Sequence, residues 1–100
     1  MDTIAQKEKR KFVFEDIKGM IADVIGEDVV DILGVTERSE FFRDLQMSSI
    51  QIVALAEKVN EAYGDRANIN IVEWLSRKPM KAISRLTVGQ LADYIANAAD

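Results

Sequence analysis

Ser48 and Ser49 stand side by side in the stretch FFRDLQMSSIQIVALAEKV, where a polar loop turns into a long apolar run. Ser48 with Gln51 three residues on is a capping box, S-x-x-Q, in which the serine hydroxyl is spent on a backbone N–H. Ser49 then becomes the first helical residue, with its hydroxyl free and exposed. A phosphate ester on Ser49 would lie over unpaired N–H groups at the positive end of the helix. One serine builds the helix start and the other is left available there. The S-x-x-Q pattern also arises by chance, and taken alone both serines read equally as plain helix-start residues.

Other chemistry is largely excluded. The chain has neither cysteine nor histidine, which removes disulfides, thiolate nucleophiles, Cys/His zinc sites and any serine–histidine pair. A serine nucleophile would need a lysine or carboxylate base, and Lys58 falls on the wrong side of its helix. Carboxylate pairs such as Glu27 and Asp28 lack metal-loop spacing and read as solvated charges. No glycine-rich phosphate loop is present. We therefore expect no catalytic residue and no metal site.

The elements that must position the serines follow from composition and periodicity. One hundred residues, 48% of them apolar, suffice for one domain with a single core. One proline and five glycines leave little turn chemistry for a sheet protein, so the expected class is all-α. Residues 1–11, with KEKRK at 7–11, read as a flexible charged arm, and residues 12–100 as a single domain. The net charge of −4 is unevenly spread. Acids dominate residues 12–65, whereas Arg66, Arg77, Lys78, Lys81 and Arg85 face Glu73 alone in residues 66–86. That division suggests electrostatic partner choice more than nucleic-acid binding. Neither a membrane-length apolar run nor a signal-peptide block appears, so a cytoplasmic protein is the default expectation.

The first helix is expected from about Phe14 to Ile25, with Phe14, Ile17, Ile21, Val24 and Ile25 as its buried stripe and Gly26 as its stop. A long connection from Glu27 to Met47 should be anchored by Val29, Val30, Ile32, Leu33, Val35, Phe41, Phe42 and Leu45. The second helix carries Ile52, Leu55, Ala56, Val59 and Tyr63 on one face, with Gly64 expected to end it. Ile50 and Val53 fall off that stripe, beside Glu57 and Glu61, a modest hint of a docking surface. Asn70 could cap a short helix through Ile71, Trp74 and Leu75 that Pro79 ends. Thr87 with Gln90 is a second capping box, opening a last helix with Val88, Leu91, Ala92 and Ile95 on one face. The expected plan is three long helices and one short.

The segment FFRDLQMSSIQIVALAEKVNEAYG resembles the region around the modified serine of acyl carrier proteins, whose pattern runs F-x-x-D-L-G-x-D-S-L into an amphipathic helix ending in an aromatic. Phe41, Asp44, Leu45, Ser49, Ile50, Val53 and Tyr63 fall at matching places. LTVGQLADYI, residues 86–95, resembles the family's last helix. Three departures stand out. Ser48 replaces the family's aspartate, which helps the phosphopantetheinyl transferase engage the carrier, and Gln46 replaces the glycine of D-L-G. The family's docking helix is usually acidic near its start, whereas here Ala54 and Asn60 leave only Glu57 and Glu61. About ten extra residues, holding the basic cluster and Trp74, precede the last helix.

The resemblance implies a four-helix bundle of acyl-carrier type with a long loop between the first two helices. It implies a 4′-phosphopantetheine arm on Ser49, carrying acyl groups as thioesters for fatty-acid, polyketide or specialised lipid synthesis. Ile50 and Val53 would be apolar contacts, and Glu57 and Glu61 charge guides, for a monomer serving a phosphopantetheinyl transferase and acyl-transferring and synthase enzymes. The protein itself would be no enzyme and would involve neither nucleic acid nor membrane insertion. A peptidyl or aminoacyl carrier would use the same serine and arm, and a helical interaction module would need no prosthetic group. Trp74 either completes the core or widens a cleft that shelters the cargo.

Overall fold

The computed structural model describes residues 4–67 and 69–98, and side chains within that span except those of residues 5, 6 and 65–67. Residues 1–3 of the expected arm, and the side chain of Arg66, lie outside the described residues. Six helices occur among the described residues: α1 (Ile4–Ile25), α2 (Glu27–Leu33), α3 (Ser49–Ala67), α4 (Ile71–Ser76), α5 (Met80–Ser84) and α6 (Val88–Ala98). The protein is an all-α bundle of the acyl-carrier type. The long helices α1, α3 and α6 form its frame, with α1 packed on both others. The short helices α2 and α5 are additions to the expected plan.

Packing on α1 centres on Val13, Ile17 and Ile21, spaced four residues apart and all essentially buried, while Phe14, Val24 and Ile25 lie only partly covered. Burying each such side chain contributes roughly 1.5–3 kcal/mol. The helix starts at Ile4, well ahead of Phe14, so KEKRK continues the helix. No glycine or proline interrupts residues 4–18, and the Arg10 Nε pairs with Asp93 Oδ1 of α6 at 3.1 Å. Toward its other end α1 is tied to α3. The Tyr63 hydroxyl donates to Asp16 Oδ2, and Lys58 pairs with Asp23. Gly26, with φ 107°, ends α1 as expected, its N–H donating to Ala22 O.

The connection to α3 is more structured than a packed loop. Residues 27–33 coil into α2, which Gly34 closes in the left-handed conformation. Of the expected anchors, Val30, Val35, Phe41 and Leu45 are buried and Phe42 partly so, but Val29, Ile32 and Leu33 face solvent. A two-turn helix presents one side to its neighbour, so it cannot bury every apolar residue of an unbroken run. Gly64 likewise fails to end α3, which runs on to Ala67. A helical glycine costs only about 1 kcal/mol relative to alanine, which neighbouring packing offsets.

Beyond α2 the chain is fastened to the start of α6 by backbone hydrogen bonds. Val88 N–H donates to Ser39 O at 2.9 Å, Gly89 N–H to Glu37 O at 2.8 Å, and Phe41 N–H to Leu86 O at 3.1 Å. Glu40 and Thr87 form an isolated antiparallel bridge within this tie. Ser39, nearly buried, holds the turn by accepting from Thr36 N–H through its hydroxyl at 2.9 Å. At the other side, Gln90 N–H bonds the Thr87 hydroxyl and Thr87 N–H bonds Gln90 Oε1, the expected capping box. The first N–H groups of α6, which no helical turn can satisfy, are thereby paired.

The contact at Gly89 admits no side chain, because a Cβ there would lie 2.7 Å from Glu37 O. Gly89→Ala should therefore lower unfolding stability by about 1–3 kcal/mol, measured by urea denaturation. Gly19→Ala, in α1 with nothing within 4 Å of the added carbon, should instead raise stability by about 0.5–1 kcal/mol. Equal effects at the two positions would show that the loop yields freely at Glu37.

Candidate functional site: a serine at the head of α3

The loop before Ser49 is shaped residue by residue. Phe41 and Leu45 are sunk in the core, and Asp44 Oδ2 accepts the Glu40 N–H at 2.8 Å, closing the turn between them. Met47 is buried and its N–H donates to Phe41 O at 3.0 Å. Between these anchors Gln46 is forced to φ 53°, the only non-glycine residue at positive φ among those described. The position where the resembling pattern carries glycine is thus one whose backbone favours glycine.

Ser48 and Gln51 then form the reciprocal box. Gln51 N–H donates to the Ser48 hydroxyl at 3.2 Å, and Ser48 N–H to Gln51 Oε1 at 2.9 Å. Ser49 follows as the first residue of α3, exposed, with no hydrogen bond to its hydroxyl among the described residues. Its own N–H and that of Ile50 also find no protein acceptor there. A free hydroxyl beside two open donors at a helix N-terminus fits a phosphodiester: the oxygen is reachable and the donors face anionic oxygens.

The remaining sequence-singled residues line the outer face of α3. Ile50 is 81% and Val53 53% exposed, and Glu57 and Glu61 continue the same stripe one turn apart. Lys58 is turned to Asp23 on α1. Among the described residues no group of acids could hold a metal ion, and no helix is long and apolar enough to cross a membrane.

An apolar cleft lies between α3, α4, α5 and α6. Ile52, one turn past Ser49, lines it together with Leu55 and Ala56. Ile71, Trp74 and Leu75 of α4, Ile83 of α5 and Leu91 of α6 line it too, with Phe41, Phe42 and Leu86 from the connecting segments. The expected short helix is present. Asn70 Oδ1 caps it through Glu73 N–H at 3.1 Å.

Two features escaped the sequence reading. Asn60, noted only as an absent charge, accepts the Ile71 N–H at 3.0 Å and pins α4 to α3. Trp74 stacks on Tyr94 of α6 at 4.5 Å between centroids, with Lys78 Nζ 4.7 Å from its ring. The tyrosine's place at the rim of the α6 stripe was the one available signal, since a rim position is half covered by the core and half open.

Residues 15–73 match the family described as phosphopantetheine attachment site. That span takes in the Ser48–Ser49 turn, the whole of α3 and the first half of α4. The chain belongs to this family of phosphopantetheine-binding carrier proteins, whose covalent cofactor is 4′-phosphopantetheine. No curated protein and no solved structure matched the chain.

The site geometry separates the two serines by stability. Ser48→Ala should cost about 0.5–2 kcal/mol as a removed cap, whereas Ser49→Ala should stay within about 0.5 kcal/mol of the parent. Gln46→Gly should be neutral or stabilising by up to about 1 kcal/mol, since relief of the left-handed strain outweighs the added chain entropy. Thermal and urea unfolding of the three variants would check this. A larger loss for Ser49→Ala than for Ser48→Ala would reverse the cap assignment.

Proposed function

We propose that the chain is an acyl carrier whose Ser49 hydroxyl is the attachment point of 4′-phosphopantetheine. The observation that carries this reading is the pairing of an unbonded serine at the head of α3 with an apolar cleft whose wall begins one turn later, at Ile52. When bound, the group supplies a terminal thiol that holds an acyl chain as a thioester. Ser49 contributes the oxygen of the phosphodiester. Its N–H and that of Ile50 contribute donors to the attached phosphate, and Ser48 keeps the helix start fixed by its capping bond.

The acyl cargo is favoured over an aminoacyl or peptidyl one by the cleft lining, which consists of apolar side chains throughout. A saturated chain gives up no hydrogen bond on entering such a space, whereas an amine or amide would be stripped of water without a partner. Fatty-acid, polyketide or specialised lipid synthesis would each use such a carrier. Ile50 and Val53 serve as apolar contacts for the transferase and for acyl-transferring and synthase enzymes, with Glu57 and Glu61 steering basic partner surfaces. A patch this small suits short-lived encounters, which a monomeric cytoplasmic shuttle needs.

Incubation with coenzyme A and a broad-specificity phosphopantetheinyl transferase should add the mass of one phosphopantetheine. Ser49→Ala should abolish the gain while the domain stays folded, and Ser48→Ala should retain it. A modified peptide mapping to Ser48, or no gain with several transferases, would overturn the assignment. Ser48→Asp, which keeps a good cap and restores the acid of the resembling pattern, should be modified faster. An unchanged rate would mean that residue 48 does not govern recognition by the transferase.

A further inference from the structure

The apolar cleft is narrow. Its volume open to a water-sized sphere is about 20 Å³, barely more than the roughly 10–15 Å³ that a single water needs. A chain of several methylenes enters only if a wall gives way. Leu55, Ala56, Ile71, Leu86 and Leu91 belong to the buried core, and close-packed interiors do not deform freely. The yielding part must be among the half-buried lining residues.

Trp74 is distinguished from the other half-buried residues by what lies on its far side. Its ring also borders a solvent-open recess of about 280 Å³, shared with Asn70, Glu73, Arg77 and Tyr94. The ring is therefore a partition between an apolar space within and a polar one without. The Tyr94 stack and the Lys78 ammonium hold it, and contacts of this kind are weak enough to break and re-form. The backbone beneath is fixed at two points, by Asn60 at Ile71 and by Asn70 at Glu73. With α4 anchored and space on the outer side, rotation of the side chain is the available motion.

Building on the acyl-carrier reading, we propose that Trp74 is the residue that sets cargo length, a door whose ring turns out toward the recess to admit the chain. Turning breaks the stack on Tyr94. A short acyl group gains too little apolar contact to offset that loss and stays outside, whereas a longer one gains with every methylene buried. The carrier thus shelters long saturated chains and leaves short ones open to partner enzymes. The extra segment before α6 acts as a threshold on the cleft and not as an enlargement of it.

The test uses the full chain loaded at Ser49 with acetyl, butyryl, octanoyl or dodecanoyl groups. Two quantities are followed: cleavage of the thioester by hydroxylamine and emission of Trp74, the only tryptophan. Acetyl and butyryl thioesters should be cleaved at equal rates with unchanged emission. Octanoyl and dodecanoyl should be protected, and the emission should shift in step with protection. Tyr94→Leu leaves Trp74 in place but removes the stack, and should raise octanoyl protection about tenfold, equivalent to about 1.4 kcal/mol. Trp74→Phe should admit shorter chains in the same way. Protection without an emission change, the same length dependence in parent and variants, or no protection at any length would overturn the proposal. Loading is scored first by intact mass. A missing mass gain counts against the carrier reading alone, and the door is then judged by adding free octanoyl-pantetheine to the same protein. A saturable Trp74 shift, tighter in Tyr94→Leu, upholds it; no shift overturns it.

Discussion

The backbone tie between residues 37–41 and the start of α6 is the constraint on which the rest of the structure depends. It pairs the Val88 and Gly89 N–H groups, which would otherwise be unsatisfied at a buried helix start. It also sets Phe41 into the core, and Phe41 O in turn receives Met47 N–H. The chain that leaves α2 is thereby delivered to the head of α3 with Ser48 in place to cap it. Ser49 is held where it is by a loop that makes no hydrogen bond to its hydroxyl among the described residues. The absence of a Cβ at residue 89 is what lets the two backbones meet.

The local parts of this arrangement were legible in the sequence and the distant ones were not. Both capping boxes are decided within three residues, so Ser48 with Gln51 and Thr87 with Gln90 announce themselves. The stop at Gly26 and the cap at Asn70 are equally local. The tie to α6 is made by main-chain atoms and leaves no side-chain signature apart from a glycine that has several other possible reasons. The pair that Arg10 on the early part of α1 makes with Asp93 joins residues more than eighty apart in sequence. Exposure of Ile32 and Leu33 on α2 could not be read from their apolar character, which by itself argues for burial.

The site divides along the same line. Ser49 and its outward neighbours Ile50 and Val53 follow from helix register alone, once the cap fixes where α3 begins. Asn60 does not: its value lies in an acceptor aimed at the first turn of another helix. Trp74 and Tyr94 lie on different helices, so their stack is a product of tertiary placement. The cleft is likewise a tertiary product, lined by aromatic and branched side chains from four helices.

The packed and the exposed residues of α3 occupy opposite sides of the helix. Its inward side carries Leu55, Ala56, Val59 and Tyr63, together with the bonds to Asp16 and Asp23 on α1. Its outward stripe of Ile50, Val53, Glu57 and Glu61 bears none of the packing that holds the helix in place. Substitutions on such a surface typically change stability by less than about 0.5 kcal/mol. Substitutions can therefore accumulate on this face while the scaffold beneath stays as it is, which makes α3 evolvable on one side and conservative on the other.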